Sequence, residues 1–309
     1  MAKMATRQAY GKALAELIVK NENVVVLDAD LTKSTMTNEA KAACPERHFN
    51  MGIAEGNMMA VGAGLAASGK IVYASSFAMF ASGRAFEQIR NSICYPRLNV
   101  KICATHAGIS VGEDGASHQA IEDMAIMRAI PNMKVFQPCD SIETKAIINA
   151  IAEIPGPCYV RMGRAAVEDV HDENYQFVMG KGEVLREGKE IALLATGLEV
   201  QESLKAAELL KEDGYDVTVA NFSSIKPIDE ELIVFLAKSH KYLISVEEHN
   251  VIGGLGSAVA EVLVKKCPHA LQMIGMQDVF GESGKSSDVL EKYGLTANKI
   301  AEQVREIVK

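Results

Sequence analysis

One carboxylate stands alone in a stretch of small and apolar residues, which makes it a candidate for proton chemistry. It is Glu55, the only ionisable side chain between Ala54 and Ser68, inside the segment Phe49 to Gly69, FNMGIAEGNMMAVGAGLAASG. Gly56, Ala60, Gly62, Ala63, Gly64, Ala66 and Ala67 are too small to hold a neighbour away from the backbone, so a tightly packed, buried helix is expected here. A buried carboxylate loses its hydration unless something pairs with it or its pKa rises. A helix N-terminus can satisfy such a group through its dipole, and so can a ligand. The spacing leaves both readings open.

Other stretches carry groups that hold protons or anions. The loop THAGISVGEDGASHQ follows an apolar run and combines Gly108, Gly112 and Gly115 with His106, Glu113, Asp114 and His118. No HxxH or HExxH spacing accompanies the two histidines, so no metal is expected in this chain. Arg161 and Arg164 leave a strand-like run in CYVRMGR, and Arg7 opens the first helix pattern. Guanidinium forks suit phosphate oxygens, while ion pairing with the acidic sequence that follows is the structural alternative. Phe77 and Phe80, three apart in SSFAMFASG, are either core or a stacking platform for a flat ring. In SVEEHNVIGGLGSAVAEV, Gly253, Gly254 and Gly256 either present a helix N-terminus to an anion or pack closely. Their spacing is not GxGxxG.

The elements that must position these residues alternate regularly. VVVLDAD, Val24 to Asp30, reads as a buried parallel strand that delivers Asp30, Thr32 and Ser34 at its carboxyl end, where open α/β sheets hold ligands. It follows a helix from Thr6, read as its cap. After the Glu55 helix come strand KIVYA, helix SFAMFASGRAFEQIRNSI, strand VKICAT, the glycine-rich loop, helix QAIEDMAIMRAI, strand MKVFQP, helix SIETKAIINAIAEI and strand PCYVRM. From about Arg164 to Lys189 the pattern lapses into acidic, glycine-containing sequence too polar for a buried element. A second series begins with IALLAT and ends with the amphipathic TANKIAEQVREIVK. The expectation is an α/β chain of two consecutive domains, 1–172 and 190–309 joined by a linker at 173–189, each a mainly parallel sheet flanked by helices.

A chain of 309 residues with 48% hydrophobic and 23% charged residues can build sizeable cores. A net charge of −8, with no long run of Lys or Arg, argues against nucleic acid or an anionic membrane as partner and favours small metabolites. Six cysteines without CxxC spacing read as reduced core thiols, which points to a cytoplasmic location. No signal-like start and no run of about 18 apolar residues is present.

Taken in order, ATR, DADLTKS, FNMGIAEGNMMAVGAGLA, SSFAMF, ATHAGISVGEDGASHQ and R-x-x-R resemble the C-terminal half of transketolase over essentially the whole chain. The resemblance implies a pyrimidine-binding domain followed by the family's C-terminal domain, and thiamine diphosphate as cofactor. Glu55 would then hydrogen-bond the aminopyrimidine ring and supply the proton that readies the cofactor's thiazolium carbon. Phe80, with Phe77 beside it, would wall the pyrimidine. His106, Asp114 and His118 would contact the hydroxyls or carbonyl of a ketose, with both histidines in catalytic roles. Arg7, Ser34 and Arg164, joined by Arg161, would bind the substrate's phosphate, and Asp30 would lie near the cofactor across a subunit contact.

Departures from the family pattern accompany the likeness. Gly83 stands where many transketolases have an aromatic, so the ring pocket is expected to be looser, and Arg161 in addition to Arg164 is similar to deoxyxylulose-phosphate synthase. The GDG motif that, with a downstream Asn, anchors Mg²⁺ and the diphosphate is absent. With a Met directly before the family's middle domain, this implies a split enzyme. An N-terminal subunit would hold the diphosphate and Mg²⁺ in an α2β2 assembly acting on sugar phosphates. Alternatives are a deoxyxylulose-phosphate synthase-like half, a 2-oxo-acid dehydrogenase beta-type subunit, and a non-catalytic regulatory subunit.

Overall fold

The computed structural model describes residues 3–309; the first two residues of the expected first domain lie outside them. The chain divides into two compact units. One comprises the chain up to Ala107 together with Ile126–Phe177, and the other Gly108–Ala125 together with Val178–Lys309.

In the first unit the strands Lys134–Phe136, Cys158–Arg161, Val100–Thr105, Ile71–Phe77, Val24–Asp28 and His48–Asn50 lie side by side in that order, all parallel. Continuous apolar runs such as VVVLD are buried along their whole length because helices cover both faces of a parallel sheet. On one face Tyr10, Leu14 and Ile18 of helix Thr6–Lys20 and Ile147 and Ile151 of helix Ser141–Glu153 pack with Val24, Val26, Tyr73 and Val160. On the other, helix Glu55–Ala67 brings Gly62 to within van der Waals reach of Leu27, Val72 and Val100. Strand alternation separates the two sets.

Three local expectations are corrected. Helix Glu55–Ala67 is not buried all round: Glu55, Met58, Met59, Gly62, Ala63 and Ala66 face inward, whereas Asn57, Ala60, Gly64 and Ala67 are exposed. Thr6 is not the cap of the first helix. Ala5 holds that position with Gln8 Oε1 accepting from its N–H, and the Thr6 hydroxyl accepts from Gly163 N at 3.0 Å. The segment read as one helix from Ser76 to Ile93 is broken into a π turn at Phe80–Arg84, a short α turn at Phe86–Gln88 and a second π turn at Ile89–Cys94.

In the second unit the five-stranded sheet has the order Leu271–Met276, Tyr242–Asn250, Ile191–Ala195, Val217–Asn221 and Glu183–Arg186. All pairs are parallel except the last. Glu183–Arg186 lies in sequence read as linker and forms a half-exposed edge strand, which tolerates its polar composition. Strand Leu271–Met276 and helix Ser286–Lys292 carried no recognised signal. Helix Ala297–Ile307 buries Ile300, Ala301 and Val304 at helical spacing. All six cysteines are free; five are buried and Cys267, closing helix Leu255–Lys266, is half-buried. Among the described residues no helix is long and apolar enough to cross a membrane.

Candidate active site

Asp30, Ser34, Glu55, Phe80, His106 and Arg164 follow the carboxyl ends of strands in the first unit, Phe77 and Arg161 end theirs, and Arg7 lies in helix Thr6–Lys20. Register places Asn50, Asp28, Ser75 and Cys103 in line across four neighbouring strands, so the segments that leave these strands emerge along one sheet edge. Such edges collect ligand-binding loops because the chain must turn there with backbone groups unpaired by the sheet.

Glu55 is the first residue of its helix and 3% exposed. The helix dipole favours a negative charge at that place. Its Oε1 accepts from Ser76 Oγ at 3.4 Å and from Arg84 Nη1 at 3.2 Å, and the same nitrogen lies 3.4 Å from Oε2. Arg84 also lays its guanidinium over the face of Phe80, 4.1 Å from the ring centroid. The π turn that contains both residues sets this arrangement. With the Arg84 side chain 53% exposed, the ion pair contributes about 1 kcal/mol or less. Phe77 and Phe80 are stacked with centroids 6.0 Å apart, and Phe77 stacks on the imidazole of His106 at 3.9 Å. His106 follows strand Val100–Thr105 directly, is 4% exposed, adopts φ 57° and has Nδ1 2.9 Å from Thr105 Oγ1. A left-handed non-glycine residue is uncommon and aims the ring where a regular strand exit would not.

Arg7 Nη1 donates to the Ser34 carbonyl at 2.7 Å, and its buried Nε has no hydrogen-bond partner. Burial pushes the Arg7 guanidinium below the usual arginine value, and the neighbouring charge of Arg164 pushes it further. Arg7, Ser34 and Arg164 are thus brought together. Arg161 is not like them: it is 1% exposed, enclosed at the end of its strand. Asp30 is exposed, at φ 60°, with Oδ1 accepting from Asn50 Nδ2 and its N–H donating to Asn50 Oδ1.

Beneath these residues, buried Asp28 ties down the loop that follows it. Its Oδ2 lies 2.9 Å from His48 Nε2 and accepts from Thr32 and Thr37 hydroxyls, while Oδ1 accepts from Leu31 N. Burial works to raise this carboxyl, but the close His48 imidazole and the hydrogen bond from Thr32 outweigh it and hold the group below its ordinary value. Cys139, Asp140 and His171 offer ligand atoms within 4.8 Å of one another. Asp140 is already committed: it caps helix Ser141–Glu153 through Glu143 N and accepts from Val170 N, His171 N and His171 Nδ1.

Asp114 and His118 belong to the second unit. Asp114 is exposed; His118 is half-buried, with Nδ1 3.0 Å from Ser117 Oγ. Their loop is fastened by a residue the sequence did not single out, Glu248, which is 2% exposed and accepts from Ser110 N at 2.5 Å. Gly108 adopts φ +80°, and a Cβ there would meet the Glu248 carboxylate at 2.3 Å, so only glycine fits. The anion reading of Gly253, Gly254 and Gly256 is also corrected. The amides of Leu255 and Gly256 at that helix start already donate to the Glu247 carboxylate at 2.7 and 2.8 Å.

The family model described as transketolase, pyrimidine binding domain, matches residues 2–169, and that described as transketolase, C-terminal domain, matches 180–300. A Methanocaldococcus jannaschii protein named as a transketolase C-terminal section is 53% identical over 306 residues, covering 98% of this chain and 96% of that protein. A 6-deoxy-6-sulfo-D-fructose transketolase subunit of a Clostridium strain is 40% identical over 303 residues, covering 98% and 94%. Among solved structures, a split gene transketolase described as an inactive beta4 tetramer superposes with a TM-score of 0.90 at 52% identity, covering 99% and 98% of the two chains. With both domain models matched in order along the sequence, the chain belongs to the transketolase family.

Proposed function

We propose that this chain is the subunit of a split, thiamine-diphosphate-dependent transketolase that carries the pyrimidine side of the active site. It would move a two-carbon ketol unit from a ketose phosphate to an aldose phosphate. The observation that carries the reading is Glu55: a buried carboxylate beside the face of Phe80, already holding a flat, donor-bearing cation there. Those are the requirements of an aminopyrimidine ring, which needs an aromatic wall and a carboxylate at its ring nitrogen. Thiamine diphosphate, when bound, supplies the nucleophilic carbon and electron sink that cleavage of a ketose carbon–carbon bond requires.

Each residue has a task in that reading. Glu55 holds the proton at the ring nitrogen, and Phe80, backed by Phe77, supplies the wall. His106 and His118 handle the protons of the sugar's hydroxyl and carbonyl oxygens, with Asp114 as a hydroxyl partner. Arg7 and Arg164, with Ser34, take the terminal phosphate; Arg161, enclosed as it is, is left out of the contact set. Asp30 serves the cofactor across a subunit contact. A partner chain with the diphosphate-binding domain would hold Mg²⁺, in an α2β2 assembly. The relatives named as a C-terminal section and a subunit, and the neighbour described as a split gene transketolase in an inactive beta4 tetramer, support such a division. Six free cysteines fit a reducing, cytoplasmic setting.

The test is Glu55→Ala in the complex reconstituted with the partner, assayed for ketol transfer. Removing a general acid/base costs about 10²–10⁴ in rate, and a loss of less than tenfold would overturn the assignment. A donor panel containing a sugar phosphate, a sugar sulfonate and a 2-oxo acid separates transketolase chemistry from its alternatives.

A further inference from the structure

Arg84 occupies a position with an unusual combination of contacts. Its guanidinium lies 4.1 Å from the centroid of Phe80, over the ring face, while Nη1 reaches both oxygens of Glu55 at 3.2 and 3.4 Å. A guanidinium is planar, delocalised and cationic, stacks on aromatic faces and donates hydrogen bonds in its own plane. A protonated or hydrogen-bond-donating aminopyrimidine has the same attributes. The two therefore compete for one wall and one carboxylate.

From this geometry we infer that Arg84 is an internal stand-in for the pyrimidine ring: it takes the same aromatic wall and the same carboxylate that the ring would use, and must swing out before the cofactor seats. The inference rests on the pyrimidine-site reading of Glu55 and Phe80 given above. Arg84 suits the task because it is held loosely. Half its side chain is exposed, its contacts with Glu55 are long for charge-assisted hydrogen bonds, and its backbone belongs to a π turn. A lysine could not do the same, since an ammonium neither stacks flat nor spreads its donors in a plane. While Arg84 is in place Glu55 keeps a partner, so the buried carboxylate is served in either state. The consequence is a lowered apparent cofactor affinity, because only the fraction of molecules with Arg84 out is competent to bind.

The test measures thiamine diphosphate binding by calorimetry in saturating Mg²⁺, using the complex of the full chain with its diphosphate-binding partner. Native chain, Arg84→Met, Arg84→Lys and Glu55→Gln are compared. Methionine keeps an apolar stem over Phe80 without competing for Glu55, and Arg84 is exposed enough for all variants to fold. The expected result is binding about tenfold tighter for Arg84→Met, as follows if Arg84 is out in roughly one molecule in ten, with a smaller gain for Arg84→Lys. Unchanged or weaker binding in Arg84→Met overturns the stand-in role. Glu55→Gln checks the underlying reading separately: if it binds cofactor as well as the native chain, the pyrimidine-site assignment itself fails, whatever Arg84→Met does.

Discussion

Two guanidiniums near one another and partly out of water repel, and the repulsion is relieved by an anion between them. At Arg7 burial and then the charge of Arg164 disfavour the charged form, and the buried Nε lacks a hydrogen-bond partner. A charge-assisted hydrogen bond to phosphate is worth about 1.5–3 kcal/mol, which corresponds to roughly 10–150-fold in binding. Arg164→Ala is accordingly expected to raise KM for a phosphorylated ketose by about that factor while kcat changes little, and to leave a non-phosphorylated ketose almost unaffected. Steady-state kinetics with both donors checks it; equal losses for both would remove Arg164 from the phosphate site. At this scale the sequence was uneven. Glu55 stood out because nothing charged surrounds it, whereas Arg84, between Gly83 and Ala85, resembles any solvated arginine until the π turn lays it on Phe80. Arg161 and Arg164 look equivalent three residues apart, yet one belongs to the strand and is enclosed while the other lies beyond it.

Among the elements, the loop after strand Val24–Asp28 depends on a single carboxylate. Asp28 is held below its ordinary value, so the stability it contributes is present above pH 3.8 and is lost as pH falls through its lower folded value. Asp140, likewise below its ordinary value through His171 and the helix amide of Glu143 despite its burial, adds to the same acid-side loss. Asp28→Asn is expected to lower stability by about 1–3 kcal/mol at pH 7, since one of the two acceptor oxygens becomes an amide donor facing buried donors, and by less as the pH is taken below 3.8. Urea melts at pH 7 and pH 3 measure the difference; an equal loss at both would show that the ionised carboxylate is not what matters. Parallel strands were legible because burial on both faces writes them as unbroken apolar runs, VVVLD and VKICAT among them. The π turns were not, because α and π turns place apolar residues at nearly the same spacing and differ only in which carbonyl each amide reaches. Strand Leu271–Met276 escaped because Gln272 and Gly275 interrupt its apolar run.

The whole chain presents two transketolase-type domains, and the two-domain α/β architecture could be read from the alternation of elements. The buried acids that fasten the second unit could not. Glu247 and Glu248 sit in a strand that reads as a polar exit, and only packing shows that one closes a helix start and the other grips Ser110 N. At this scale the expected outcome is that the isolated chain turns over ketose phosphate at less than a hundredth of the rate of the reconstituted pair, an estimate from the loss of a full catalytic constellation. Adding a chain with the GDG motif should restore activity to saturation at equal amounts. Full activity from the isolated chain would refute the split-site reading. Five thiols are shut inside and Cys267 alone is partly open, at the end of helix Leu255–Lys266. The native chain therefore offers a fluorophore or spin label one partly open attachment point, on the C-terminal domain, leaving the residues proposed to receive cofactor chemically untouched.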